Sequence, residues 1–171
     1  MSDNLPAGDI AETLNHWFDK ITDIIQHHGG EVDKYIGDCV MALWRGDEET
    51  AEEFTAQALN AASVILESTE QISQGPRWPY TDRFPWASRV SLSSGTALIG
   101  SIGRRGPSDY TVLGDAVNVA FRLDKIGSKL GQNLILSENT ANYLNGKYDI
   151  KSLGQVDLKG KSDQVEVFTL M

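Results

Sequence analysis

Asn118 and Arg122 stand four residues apart in the run Asp115-Ala-Val-Asn-Val-Ala-Phe-Arg-Leu123. Four residues is about one helical turn, so on a helix these two side chains share a face. An amide beside a guanidinium can grip a phosphate or stabilise a strained oxyanion. A second chemical group is the carboxylate of Asp38, in the dipeptide Gly37-Asp38 between two short apolar runs. A hairpin tip exposes what it carries, and an exposed carboxylate suits Mg²⁺ or Mn²⁺, which prefer oxygen ligands. Each group also has a plain reading: two solvated residues on a capped helix, and an aspartate favoured by a turn. Arg104-Arg105 and Lys159-Gly160-Lys161 are basic turns that on their own read as solvated charge. His27 and His28 are not a zinc pair, because helix neighbours do not face each other and no cysteine or third histidine is placed to help.

The elements that would position these groups follow from apolar periodicity. Tyr110 to Leu113 is rich in aromatic and β-branched residues and reads as a strand, which Gly114 breaks. Asp115 is expected to cap a helix from Ala116, with Val117, Ala120, Phe121 and Leu123 forming its apolar stripe. The stretch Glu31 to Trp44 reads as a hairpin around Gly37-Asp38. Ile10, Leu14, Trp17, Phe18, Ile21, Ile24 and Ile25 recur with helical period, so Asp9 to His28 is a long amphipathic helix ended by Gly29-Gly30. Ala51 to Ser73 is a second helix.

Residues 75–88 hold three prolines and read as irregular, their aromatics capping the core. Arg89 to Ile102 contains two strands around Ser94-Gly95. Asn133 to Leu136 is a short strand, and Ser137 caps a helix through Tyr143. The tail alternates apolar and polar residues on either side of Lys159-Gly160-Lys161, as a hairpin does.

Composition limits what these groups can serve. The 171 residues fit one domain, and 40% are hydrophobic, enough for a sizeable core. The net charge of −9 argues against a general nucleic-acid surface. An acidic chain that binds a phosphate must gather its cations locally and recruit metal. Cys39 is the only cysteine, which excludes an internal disulfide and fits a reducing, cytoplasmic setting. No apolar run reaches membrane-spanning length, and no signal peptide opens the chain.

Taken together, Glu31 to Trp44, Arg89 to Leu123 and the Leu158-Lys-Gly-Lys161 turn resemble the class III nucleotidyl cyclases, the adenylyl and guanylyl cyclases. That resemblance implies an α+β, ferredoxin-like fold with a mixed, mainly antiparallel sheet and helices on one side. It implies conversion of ATP to cyclic AMP and pyrophosphate with Mg²⁺ or Mn²⁺. Asp38 would hold metal, Asn118 would orient the ribose, and Arg122 would stabilise charge at the α-phosphate. Lys161 and Arg105, with Arg104 behind it, would hold the terminal phosphates. Lys34 and Thr111 would read the purine, in a homodimer whose sites draw on both subunits.

A lysine ammonium only donates and suits a ring nitrogen of adenine, whereas a threonine hydroxyl can accept from the exocyclic amine. The pair therefore implies adenine over guanine, as in the bacterial adenylyl cyclase branch. The resemblance also implies that residues 1–171 form a single cyclase-like domain, N-terminally incomplete. The family's opening strand carries its first metal aspartate, and Asp9-Ile10 is no substitute for it. Activity is accordingly expected to be impaired. The alternative is an inactive cyclase-homology domain that binds nucleotide or a partner.

Overall fold

A computed structural model describes residues 5–102, 109–144, 146–158 and 164–171. The chain divides into two compact units, residues 1–47 with 56–88, and residues 48–55 with 89–171.

In the first unit, α1 (Ala7–His27) buries Trp17, Ile21, Ile24 and Ile25, the spacing expected of one helix face. Helix α2 (Ala51–Gln74) contributes Leu59, Ala61, Ala62 and Ile65 to the same unit's interior. A polar seam fastens it. Trp17 Nε1 donates to Thr69 Oγ1 at 2.9 Å, and Thr69 Oγ1 donates to the Ile65 carbonyl at 2.8 Å. Both side chains of this seam thus find a partner.

The proline-rich segment 75–88 has no strand or α-helix, as its composition requires. Its aromatics turn inward: Trp78 is 2% exposed and packs edge-on against Tyr80 and Trp86. The Tyr80 hydroxyl donates to Asp9 on α1. That hydrogen bond, then burial and the carboxylate's charge, raises the Tyr80 pKa above its usual 10.0.

Strands β1 (Glu31–Ile36) and β2 (Cys39–Leu43) form the antiparallel hairpin. Gly37 sits at φ 64°, a conformation costly for any residue with a Cβ. It is the first of two loop residues, the place glycine takes in a type II′ turn. Behind the hairpin, Trp44 Nε1 donates to the His28 carbonyl at 2.8 Å, tying the end of β2 to the end of α1. His28 Nδ1 lies 2.8 Å from the Ile24 carbonyl and donates to it, so that ring nitrogen is engaged within its own helix.

The second unit is built on the sheet β3-β6-β8-β7, comprising Val90–Leu92, Leu134–Ser137, Val165–Leu170 and Ile150–Val156. Its pairs are antiparallel except β3 with β6. Helix α3 (Asp115–Leu130) packs on β3 and β6. Leu123, Ile126, Ile135, Leu158 and Val167 make the core between them. Short helix α4 (Glu138–Leu144) starts where expected, with Ser137 Oγ accepting the Thr140 amide at 3.3 Å.

The two strands around Ser94-Gly95 do not pair with each other. β3 joins β6, and β4 (Leu98–Ile102) forms a separate antiparallel ribbon with β5 (Asp109–Leu113). No helix among the described residues is long and apolar enough to cross a membrane.

Candidate nucleotide site

Asp38 follows Gly37 at the hairpin tip and is exposed. Its Oδ1 has the Cys39 thiol at 3.8 Å, a weak contact that leaves the carboxylate facing solvent. Among the described residues no group of three or more histidine, cysteine or acidic side chains could cage a metal. Mg²⁺, however, commonly takes one or two carboxylates and completes its shell with water and substrate phosphate. A single exposed carboxylate fits that mode and does not fit a dedicated protein cage.

Lys34 lies on β1 of the same hairpin and is half-buried. It stands opposite Met41, and its Nζ is 3.3 Å from Asp33 Oδ2. Sequence reasoning passed over Asp33. Regular alternation would put neighbouring side chains on opposite faces, and only the pairing of β1 with β2 shows where that alternation breaks.

On the second unit, the β5–α3 corner presents Thr111, Asn118 and Arg122. Thr111 is half-buried on β5 opposite Gly100. Asn118 and Arg122 are one turn apart on α3, exposed and half-buried respectively. Among the described residues neither side chain has a hydrogen-bond or ion-pair partner. The nearby ion pair, Arg89 Nε to Asp124 Oδ1 at 3.2 Å, uses other residues.

Helix α3 begins at Asp115 itself, not after it. Gly114 takes the cap position and no side chain caps the helix. The reason is crowding: a Cβ on Gly114 would lie 2.8 Å from the Thr96 carbonyl and 3.0 Å from Ala97 Cα. The corner is wedged against that backbone, and only glycine passes. The helix start fixes the phase of Asn118 and Arg122, with Leu123 fully buried beneath them.

Arg104, Arg105, Lys159 and Lys161 lie outside the described residues. A cleft of about 370 Å³ in the second unit is lined by Ser94, Thr96, Asp115, Ser137, Glu138 and Glu166, among others. None of Thr111, Asn118 and Arg122 is among its lining residues. Among its described lining residues Asp115, Glu138 and Glu166 are acidic and none is basic.

The α+β architecture is that of the ferredoxin-like catalytic domain of the nucleotidyl cyclases. The chain superposes on the adenylyl cyclase CyaB from P. aeruginosa with a TM-score of 0.83, at 23% identity, over 99% of this chain and 86% of that one. A bacterial light-regulated adenylyl cyclase gives a TM-score of 0.80 at 28% identity, over 97% of this chain and 46% of the other. In sequence, it is similar to Adenylate cyclase 1 of Rhizobium meliloti, 25% identical over 100% of this chain and 25% of that protein. It is also similar to the adenylate cyclase of Anabaena cylindrica, 28% identical over 98% of this chain and 33% of that protein. The chain thus spans a quarter to a third of these relatives. The family described as the adenylate and guanylate cyclase catalytic domain matches residues 1–171, and the chain belongs to it.

Proposed function

We propose that this chain is an adenylyl-cyclase-type domain that converts ATP to cyclic AMP and pyrophosphate. The observation that carries the reading is the Asn118–Arg122 pair, exposed and half-buried respectively, one turn apart on a helix anchored in the core. In the proposed reaction the ribose 3′-hydroxyl attacks the α-phosphorus. The new 3′-oxygen–phosphorus bond closes the ring as the hydroxyl's proton passes to solvent water, the bond to the bridging oxygen breaks, and pyrophosphate leaves. Asn118 orients the ribose, so that the hydroxyl meets the phosphorus in line. Arg122 donates to the α-phosphate oxygens as negative charge builds there.

Asp38 would be a ligand of a divalent ion shared with the triphosphate, and that ion would lower the hydroxyl's pKa and neutralise phosphate charge. Lys161 and Arg105 are the proposed partners of the terminal phosphates. Lys34 and Thr111 are the proposed readers of adenine. A homodimer is the proposed functional unit, with each site drawing groups from both subunits. The exposed Leu98 and Leu113, which face each other across β4–β5 at 65% and 51% exposure, support association of this surface.

A second reading is a nucleotide-binding domain without turnover, since two-metal chemistry clamps both ions and Asp38 offers one carboxylate. Both readings are tested by measuring cyclic AMP formation from ATP with Mn²⁺ at high protein concentration. Weak turnover abolished by Asp38→Ala and by Arg122→Ala supports the cyclase reading. Binding without turnover supports the second. Robust turnover that survives Asp38→Ala would overturn the metal assignment and the expectation of an impaired site.

A further inference from the structure

We propose that Asp33 is a positioning residue that holds the Lys34 ammonium in place to read the base, an inference that rests on the base-reading role given to Lys34 above. In a regular strand Asp33 and Lys34 would point to opposite faces of the sheet. β1 departs from regularity at this place: Val32 stands opposite Ala42 and Lys34 opposite Met41, which leaves Asp33 as the extra residue of a bulge. A bulge bends its strand and re-aims a side chain. Here it lets two consecutive charged side chains meet, with Lys34 Nζ 3.3 Å from Asp33 Oδ2.

The two partners differ in burial. The Asp33 side chain is 4% exposed and that of Lys34 is 35% exposed. Asp33 Oδ2 is shut off from solvent and accepts no hydrogen bond among the described residues. A buried carboxylate without a hydrogen-bond donor is strongly disfavoured unless a cation stands beside it. Lys34 supplies that cation, close enough for an ion pair although off the line of a hydrogen bond. The contact is unlike the other ion pair at this hairpin, Arg45 with Glu31, whose side chains are 44% and 61% exposed and which ties the strand ends only loosely.

The consequence for recognition is entropic. A lysine stem has four rotatable bonds, and a mobile ammonium loses rotamer freedom when it engages a ligand. Anchoring by Asp33 settles part of that loss before the nucleotide arrives. An ammonium carries three donors, so one ion pair does not exhaust what it can offer a ring nitrogen of adenine.

The test is a double-mutant cycle on the full chain, comparing Asp33→Asn, Lys34→Gln and the double variant. The readout is competition binding of non-hydrolysable ATP and GTP analogues. Lys34→Gln is expected to abolish the ATP-over-GTP preference. Asp33→Asn is expected to lower it about tenfold, and the double variant to be no worse than Lys34→Gln alone. A purely structural Asp33 would weaken both nucleotides alike, and its effect would persist undiminished in the Lys34→Gln background; that result overturns the proposal.

If Lys34→Gln lowers the preference while Asp33→Asn leaves it untouched, Asp33 is refuted and base reading stands. If Lys34→Gln itself changes nothing, or the wild-type chain shows no preference, base reading falls and this inference with it. Asp33→Ser replaces Asp33→Asn if the latter does not fold. The mobility of the Lys34 ammonium, measured by nitrogen-15 NMR without nucleotide, is an independent check. Restricted motion in the wild type that is released by the Asp33 variant supports the anchor, and equal mobility in both overturns it.

Discussion

The β1–β2 hairpin and the β5–α3 corner both display candidate chemistry, yet they are held in different ways. The hairpin leans on local backbone geometry, a positive-φ glycine and a bulge, with side-chain ties to α1 at Trp44 and at Tyr35, whose hydroxyl lies 2.7 Å from Thr22 Oγ1, while the β1 tip residues Tyr35 and Ile36 stay 49% and 45% exposed. The corner depends on packing: Leu123 and Ile126 are 0% and 9% exposed, and Gly114 is wedged against the Thr96–Ala97 backbone. The difference teaches that equal functional standing does not mean equal structural support. Damage near Asn118 should be global, whereas damage near Asp38 should stay local.

The sharpest way to break that contrast is Leu123→Ala. It removes a fully buried side chain under the Asn118–Arg122 face. The expected cost is about 2–5 kcal/mol, read as a large fall in the denaturation midpoint together with loss of turnover. A small fall would mean that the corner is not anchored as described. Arg122→Ala should do the opposite: no change in the midpoint, and turnover lower by about 10²–10³-fold at saturating ATP and Mn²⁺. A stability loss without a loss of rate would assign Arg122 to the scaffold.

Gly114→Ala forces a methyl group against the Thr96 carbonyl. Overpacking of this kind costs about 1–3 kcal/mol, measurable by urea unfolding, and should rotate Asn118 out of phase. The smallest effect is expected for Gly37→Ala, where a Cβ must adopt a φ of 64° in otherwise open space. A cost of about 1–2 kcal/mol should appear as faster amide exchange confined to residues 31–43, the span of the hairpin, with the rest of the chain unaffected. Global unfolding by this change would erase the distinction between the two regions.

The same division separates what the sequence discloses from what it conceals. Asn118 and Arg122 were legible because their relation is local: a period of 3.6 residues and a buried Leu123 settle which way they face. The Gly37-Asp38 turn was legible for the same reason. Asp115 as the helix cap was not correct, since Gly114 takes that position against the Thr96–Ala97 backbone of the loop before β4, which no local propensity encodes.

The bulge at Asp33 was invisible because it exists only once β1 is paired with β2. The partners of β3 and β4 were hidden likewise, since their apolar residues announce strands without naming neighbours. Segment 75–88 was legible in kind, irregular and aromatic, while the inward turn of Trp78 and its contact with Trp86 required the fold.

Trp44 carries a practical consequence. Its indole is hydrogen-bonded to the His28 carbonyl where β2 ends, while the other three tryptophans, Trp17, Trp78 and Trp86, sit on α1 and in the 75–88 segment. The hairpin therefore contains its own optical reporter. With Trp17, Trp78 and Trp86 replaced by phenylalanine, the emission of Trp44 would follow the hairpin's movements without an attached dye, and a titration with nucleotide or Mn²⁺ would show directly whether the hairpin that bears Asp38 at its tip shifts when ligand arrives.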